Sequence, residues 1–235
     1  MNTTSSSPTS TENECSYCGK SFRSEKTLLN HSCRLKMRDQ SRDEPASKYA
    51  FAAYKKFYLL SQGPGVKTWM QFCDSPYYAA FIKFARYAKD IGAINPDLFA
   101  DWIVKKKTDK LDRWCDDAIY KEYLIQLIYN ESAETAVERS FYSMQEWGDQ
   151  FKLGLDQYLY HCGANRLTFD LTRGAISPWM LYATTTGVQA LSELSDEQMA
   201  FVMPFVEPDV WTNKMKNQPI ELKYVKMACE AAGIP

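Results

Sequence analysis

Apolar residues recur with the spacing of an α-helix over most of this chain. Tyr54, Phe57 and Tyr58 fall on one helical face, and Phe81 and Phe84 repeat the pattern further along. Few segments alternate apolar and polar residues or cluster β-branched ones, so we expect little or no sheet. The pattern therefore predicts an all-α fold.

Start and stop signals divide this pattern into separate helices. Ser75, Asn95 and Ser177 each precede a proline, which combines an N-cap with proline at the first helical position. Ser195 and Gln198 have the spacing of a capping box. The expected helices are 46–61, 66–73, 76–91, 96–107, 115–129, 133–147, 150–161, 165–173, 178–191, 196–203, 207–215 and 219–232.

Composition changes along the chain and indicates its domains. Residues 1–13 are rich in Ser and Thr, and we expect them to be disordered. A cysteine-containing segment, 14–34, and a basic, polar linker, 35–45, come before the helical body. Because glycines interrupt the body near its middle, we expect it to divide into an N-terminal lobe, 46–148, and a C-terminal lobe, 149–235.

The cysteine-containing segment has the ligand spacing of a metal site. Cys15, Cys18, His31 and Cys33 fit the pattern Cys-x2-Cys-x3-Phe-x5-Leu-x2-His-x-Cys. Up to the histidine this is the spacing of a C2H2 zinc finger, although the fourth ligand comes earlier than is usual. A unit this small cannot fold on its own apolar surface, so bound Zn²⁺ would supply its stability, on the order of 10 kcal/mol. A disulfide between Cys15 and Cys18 is the weaker alternative.

The spacing of the last two ligands restricts the local helix. Residues two apart on a helix point about 200° away from each other, so His31 and Cys33 cannot both face one ion from the same helix. We therefore expect a short helix from about Glu25 to His31, with Cys33 in the turn beyond it. Phe22 and Leu28 would form the miniature core.

Charge is concentrated in one region. The chain as a whole has a net charge of −1, which argues against nonspecific nucleic-acid binding over its entire surface. The segment from Lys20 to Arg42, however, has seven basic and two acidic residues. A solvated linker and a nucleic-acid contact explain this charge equally well. The candidate nucleic-acid contacts are Lys20, Arg23, Lys26, Asn30, Arg34, Lys36 and Arg38, with a second cluster at Lys105, Lys106 and Lys107.

The finger is a poor candidate for sequence-specific recognition. One finger reads about three base pairs, and among its base-reading positions only Asn30 discriminates between bases. Contact with the phosphate backbone therefore fits better than base readout, and a protein-docking or purely structural finger fits as well.

The sequence contains no motif that identifies an enzyme. A Walker loop, a Gly-rich dinucleotide turn and a Gly-x-Ser-x-Gly elbow are all missing. His31 is assigned to zinc, and His161 and Cys162 are neighbours that would point apart on a helix. We therefore expect a nonenzymatic protein. A Mg²⁺-dependent nuclease is a minority interpretation that would use the acidic run Asp109, Asp112, Asp116 and Asp117.

No apolar run is long enough for a membrane span and no signal-peptide core is present, so we expect a cytoplasmic protein without a membrane partner. The cysteines outside the finger lie in apolar surroundings and are expected to be buried, reduced thiols. They are Cys73, Cys115, Cys162 and Cys229.

Four short stretches carry a family resemblance: Ala53–Tyr58, Tyr78-x-x-Phe81-x-x-Phe84, Tyr120–Tyr123 and Gly174–Trp179, with the helices that follow to Trp211. In these stretches and in the order of its elements, the body resembles the helicase-loading (helicase assembly) proteins of T-even-type tailed phages. The resemblance runs from about Tyr49 to Ile234.

This resemblance implies two helical domains, the first similar to an HMG box, and no active site. It also implies a replication accessory function: binding forked or single-stranded DNA, contacting the single-strand-binding protein and loading the replicative helicase. Family members are strongly basic and lack a zinc finger, and this chain departs from them in both respects. The alternative is a phage-encoded module whose finger docks host or phage proteins without touching DNA.

Overall fold

The computed structural model describes residues 13–106 and 110–235. These residues form α-helices and two short 3₁₀ helices, and within them the only β-type pairing is an isolated antiparallel bridge between Glu14 and Ser21. The all-α prediction is confirmed. The expected disordered tail lies outside the described residues apart from Asn13.

The chain divides into two compact units, the first ending at Asp116 and the second beginning at Asp117. The first unit contains α1 (Glu25–Leu29), α2 (Arg34–Gln40), α3 (Pro45–Gln62), α4 (Trp69–Asp74), α5 (Tyr78–Asp90), α6 (Pro96–Lys105) and a 3₁₀ helix (Leu111–Cys115). The second contains α7 (Asp117–Asn130), α8 (Ala133–Phe151), a 3₁₀ helix (Leu155–Gln157), α9 (Tyr158–His161), α10 (Gly163–Thr172), α11 (Pro178–Ala183), α12 (Thr185–Ser192), α13 (Asp196–Val206), α14 (Pro208–Asn217) and α15 (Pro219–Ala231).

Aromatic rings form the core of the first unit. Tyr54 of α3 packs against Phe72 of α4 and Phe81 of α5, with ring centroids 5.1 and 5.5 Å away. Trp114, from the 3₁₀ helix, meets Phe81 and Phe84 edge-on at 5.8 and 5.2 Å. All five side chains are buried. Edge-on pairs of this kind contribute about 0.5–1.5 kcal/mol each beyond their buried area, so these rings hold α3, α4 and α5 together.

The second unit has its own core, centred on two tryptophans. Trp179 of α11 and Trp211 of α14 are fully buried and meet edge-on, with centroids 5.6 Å apart. The indole N–H of Trp211 donates to the carbonyl of Phe205 at 2.7 Å, so its polar atom is satisfied inside the core.

Two carboxylates are also buried in the second unit, and each has partners. Glu131 accepts two hydrogen bonds from the Arg139 guanidinium, one of them 2.6 Å long. Asp170 accepts from the Tyr158 hydroxyl at 2.6 Å and from Arg166 Nε at 2.5 Å. Burial raises the pKa of Tyr158, and the neighbouring Asp170 adds to the increase. Removing one partner of such a pair leaves a buried charge without compensation.

The expected lobe boundary between 148 and 149 is corrected by the structure, because it falls inside α8. A Cβ atom at Gly148 would lie 2.6 Å from the carbonyl oxygen of Leu153. This glycine therefore permits the chain to fold back closely against the helix and does not end it. The compact units divide at Asp116 and Asp117.

Two expected helices are also corrected. The segment 150–161 starts with the last two residues of α8, breaks at Lys152, which has a left-handed backbone, and then forms only the short 3₁₀ helix and α9. The expected helix 178–191 is divided at Thr184, which has extended backbone angles and caps α12. A Cβ atom at Gly187 would lie 2.5 Å from the Cα of Leu181, so close backbone packing accompanies this break.

Among the described residues, no helix is both long enough and apolar enough to cross a lipid bilayer.

Candidate metal centre

Cys15, Cys18, His31 and Cys33 converge on one point. Their ligand atoms all lie within 4.8 Å of one another, and Cys18 Sγ is 3.3 Å from His31 Nε2. A tetrahedral ion with zinc-like bond lengths separates its ligand atoms by about 3.5–3.8 Å. All the cysteines of the chain are free thiols, so the alternative disulfide between Cys15 and Cys18 is not formed. These four side chains can therefore hold a metal ion.

The first two ligands lie on a tight turn. The N–H of Gly19 donates to the carbonyl of Cys15 at 2.8 Å, and the N–H of Cys15 donates to the carbonyl of Lys20 at 2.9 Å. Gly19 has a φ of 68°, in the left-handed region that favours glycine. The Cys-x-x-Cys-Gly sequence thus forms a knuckle that presents both thiols to the same side.

The third ligand follows a short helix. Ser24 caps α1 by accepting a hydrogen bond from the N–H of Thr27 at 3.3 Å. The helix ends at Leu29, so His31 lies just beyond it; the expectation that His31 is part of the helix is corrected. The His31 ring packs on Phe22 with centroids 4.7 Å apart.

The apolar core of the finger is weak. Phe22 and Leu28, the expected miniature core, are only half-buried, and α1 contains no buried residue. In the described part of the finger the buried apolar side chains are the ligands Cys15 and Cys33. Without a bound metal ion, the apolar core of the finger is therefore too small to stabilise it.

The environment of the thiols suits a cation. Backbone N–H groups of Tyr17 and Cys18 lower the pKa of Cys15. For Cys18, the hydrogen bond from the backbone of Lys20 also lowers the pKa, but burial and the neighbouring thiols Cys15 and Cys33 together raise it. Neighbouring thiolates repel one another, and a bound cation would remove that repulsion. Three thiolates and one imidazole are soft donors, the set preferred by zinc and other thiophilic metals.

The fourth ligand begins the next helix, and this corrects the expected linker. Cys33 is the N-cap residue of α2, and its carbonyl accepts from the N–H of Met37 at 2.9 Å. Most of the segment 35–45 is therefore helix α2 and the start of α3. α2 packs against α4, and this tertiary contact orders a polar segment whose sequence is typical of a linker.

The expected nucleic-acid contacts within the finger and α2 lie mostly at the surface. No ion pair engages these side chains in the described part of the chain, and each is exposed. They are Lys20, Arg23, Lys26, Asn30, Arg34 and Lys36. Glu25 is the acidic residue of α1, so the local charge is positive.

Arg38 differs from these residues. Its guanidinium donates to the carbonyl of Cys73 at 2.6 Å and lies 4.2 Å from the centre of the Tyr78 ring. Burial, followed by the nearby charge of Arg34, lowers the pKa of Arg38. The structure thus places Arg38 in contacts within the first unit.

The second basic cluster lies at the end of α6. Lys105 is exposed, and Lys106 places its ammonium 5.0 Å from the centre of the Trp102 ring. Lys107 lies outside the described residues. A basic stripe on α5, Lys83, Arg86 and Lys89, is also exposed and belongs to the same unit.

Two sets of residues are the candidates for catalysis, the acidic run and the pair His161 and Cys162. Among the described residues, the cluster of three cysteines and one histidine is the one group of His, Cys, Asp and Glu side chains close enough to hold a metal. Asp112, Asp116 and Asp117 do not form such a group, and Asp109 lies outside the described residues. Burial raises the pKa of Cys162 to about 11, so this thiol is protonated at neutral pH and is a poor nucleophile.

Comparison of the chain with protein-family models, with curated proteins and with solved structures finds no match. The function must therefore be inferred from the chemistry and geometry of the chain.

Proposed function

We propose that the protein is a nonenzymatic nucleic-acid-binding protein with a structural zinc finger. The cysteine–histidine cluster would hold Zn²⁺, and the exposed cations of the finger and α2 would contact phosphates. The observation that carries the proposal is the position of these cations: in the chain they lie between the candidate ligands or within three residues of the last one, and they are exposed and have no ion-pair partner among the described residues. They are Lys20, Arg23, Lys26, Arg34 and Lys36.

Zinc is the metal that the donor set supports best. Three cysteines and one histidine make up a full tetrahedral shell, which is typical of structural zinc sites and leaves no open position for a substrate. The chain's own residues would hold the ion, and the ion would supply the stability that the half-buried Phe22 and Leu28 do not. The metal thereby fixes the positions of the surrounding basic side chains.

Phosphate contacts account for the type of side chains on this surface. Lys and Arg bind the backbone of any sequence, and counterion release makes such binding strongly salt-dependent. Asn30 is exposed, and among the expected base-reading positions of the finger, Ser24, Thr27 and Asn30, it is the one whose side chain discriminates between bases. We therefore expect recognition of nucleic-acid shape or strandedness with weak sequence preference.

A more specific function is supported by the family resemblance alone. We propose that the nucleic acid is forked or single-stranded DNA and that the partners are a replicative helicase and a single-strand-binding protein. Such a function would place the protein in the cytoplasm, that of an infected bacterium if a phage encodes it. Tyr54, Phe81, Phe84 and Trp179, which carry part of the resemblance, are buried core residues. The resemblance at these positions therefore concerns packing and identifies no binding site, and the HMG-box likeness of the first lobe remains a prediction.

The test is fluorescence anisotropy of the full-length, zinc-loaded protein with labelled forked, duplex and single-stranded DNA over a salt series. The variant Lys26→Ala/Arg34→Ala/Lys36→Ala should weaken binding to all three and reduce the slope of log K against log salt by about 0.7–0.9 per lost phosphate contact. The matched control replaces Lys216, Lys223 and Lys226, exposed lysines of the second unit, by Ala and should bind as the unmodified protein does.

Failure to bind any of these DNAs at low salt would contradict the proposal. It would favour the alternative that the finger binds a protein. One observation supports this alternative. Leu29, the last residue of α1, is 76% exposed, and Met37, within α2, is 62% exposed. In the chain, both residues lie among the same cations. An acidic protein segment with apolar side chains would suit that surface.

A further inference from the structure

We infer that α2 is a latch that couples occupancy of the metal site to the packing of the first unit. The inference rests on the metal binding proposed above, and it concerns what α2 covers. One end of this helix is fixed by a metal ligand and the other end by contacts with α4 and α5. Loss of the metal would release the first end and expose Cys73, a thiol of α4 that is otherwise fully buried.

The C-terminal half of α2 is held by specific contacts. Arg38 donates to the carbonyl of Cys73 at 2.6 Å, which satisfies a backbone acceptor in the last turn of α4. The same guanidinium lies over the Tyr78 ring at 4.2 Å, and the Ser41 hydroxyl is 3.1 Å from the Tyr78 hydroxyl. These contacts position α2 against both α4 and the start of α5.

α2 packs against α4, the helix that carries the buried thiol. Arg42, just beyond α2, places its guanidinium 5.6 Å from the centre of the Trp69 ring, one turn before Cys73 on α4. Burial raises the pKa of Cys73 to about 11, the charge of Asp39 adds to the increase, and the charges of Arg38 and Arg42 oppose it. Access to Cys73 therefore depends on whether α2 stays in place.

The N-terminal end of α2 depends on the metal cluster. Cys33 is both a candidate ligand and the N-cap residue of the helix, and it is buried beside the other ligands. α2 has only seven residues and none of its own helical residues is buried. A helix this short is unstable by itself, because it has few hydrogen bonds to offset the cost of nucleation. Its order must come from its two ends.

The experiment is differential alkylation of the full-length, zinc-loaded protein with iodoacetamide, before and after chelation with EDTA, with each cysteine quantified by peptide mass spectrometry. We expect the ligands Cys15, Cys18 and Cys33 to become reactive on chelation. We also expect Cys73 to react about tenfold faster, because its protection depends on a local opening that metal loss favours. Cys229, which is equally buried but belongs to the second unit, is the internal control and should not change.

A second variant tests the other end of the latch. Arg38→Ala keeps every candidate ligand, so it should retain zinc and yet increase the reactivity of Cys73. The matched control is Arg34→Ala, which removes an exposed arginine from the same helix and should leave Cys73 protected.

Two results would overturn the inference, and they are distinguishable. Reactive ligands with an unchanged rate at Cys73 after chelation would mean that zinc binds but that α2 is not coupled to it. Ligand thiols that react equally with and without zinc would contradict the metal site itself, and the latch with it.

Discussion

The cysteines of the finger and those of the helical core have the same side chain in opposite environments. Cys15 in the finger is approached by backbone N–H groups that lower its pKa, and three other ligand atoms lie within 4.8 Å. Cys229 in the second unit is buried, its thiol donates to the Met180 sulfur at 3.6 Å, and burial raises its pKa to about 11. A thiol is thus prepared for a cation where the chain lacks an apolar core, and it remains a neutral packing group where such a core exists.

The two regions therefore differ in what stabilises them. The finger has only half-buried Phe22 and Leu28 as apolar core, and we propose that a bound metal ion stabilises it. The second unit has Trp179 and Trp211 fully buried and in edge-on contact. Metal removal should damage the first region and leave the second intact, and a core cavity should do the reverse.

The largest expected effect comes from removing a metal ligand. Cys18→Ser should lower the zinc affinity by several orders of magnitude, because a hydroxyl replaces a thiolate in the coordination shell. The finger should then become sensitive to trypsin at Lys20, Arg23 and Lys26, while the second unit stays protected. Zinc content by elemental analysis and limited proteolysis check both points. Cys162→Ser, which changes a cysteine outside the cluster, is the control and should keep its zinc; a Cys18→Ser finger that stays protected would disprove the ligand assignment.

Trp211→Ala should destabilise the second unit and leave the finger unchanged. Truncating a fully buried tryptophan typically costs about 3–5 kcal/mol, because transfer energy and packing are both lost. We expect the free energy of unfolding of the second unit to fall by this amount in urea titrations, with one zinc still bound. Trp211→Phe should cost less. Loss of zinc in Trp211→Ala would show that the two regions are not independent in stability.

The pH dependence of stability should reveal the buried thiol of Cys229. Burial raises the pKa of Cys229 in the folded protein from 9.0 to about 11. Between these two pH values the native state keeps the thiol proton, while the unfolded state loses it. The resulting stabilisation is fully present below about pH 9 and is lost as pH rises through about 11, by up to roughly 2–3 kcal/mol. Urea unfolding at pH 8 and pH 10.5 should show a smaller decrease in Cys229→Ala than in the unmodified protein. Equal decreases would contradict the burial argument, since the remaining titrating groups are common to both proteins.

The smallest effect is expected at a helix cap. Ser195 Oγ accepts from the N–H of Gln198 at 3.2 Å, and the Gln198 side chain accepts from the N–H of Ser195 at 2.9 Å. Ser195→Ala should cost about 1 kcal/mol in the unfolding of the second unit, without any change in zinc content. Ser195→Thr, which keeps the hydroxyl, should cost less. A cost of zero would mean that solvent replaces the cap fully.

The sequence predicted features that depend on local spacing. The helical period, the capping box at Ser195 and the ligand set of the finger all follow from residues close together in the chain, and the structure brings the four ligands together as expected. Arg38 could not be placed this way, because its partners Cys73 and Tyr78 are remote in sequence. A basic residue in a polar segment has the same local pattern whether it contacts phosphate, solvent or a helix terminus.

The structural roles of Gly148 and Gly187 cannot be predicted from nearby residues for a related reason. Gly148 suggested a lobe boundary, and the break before Gly187 was not expected at all. The backbone of Leu153 lies close to Gly148, and the backbone of Leu181 lies close to Gly187. Neither position has room for a side chain. Such close approaches are set by tertiary packing and have no local signal.

The most direct test of the account is X-ray absorption at the zinc edge on the full-length protein loaded with one equivalent of zinc and freed of excess metal. We predict a shell of three sulfur atoms at about 2.3 Å and one nitrogen at about 2.0–2.1 Å. This shell would identify Cys15, Cys18, Cys33 and His31 as the ligands, and its loss in Cys18→Ser would complete the assignment. A protein that retains no zinc, or a shell made only of oxygen and nitrogen, would contradict the central claim that the metal holds the finger together.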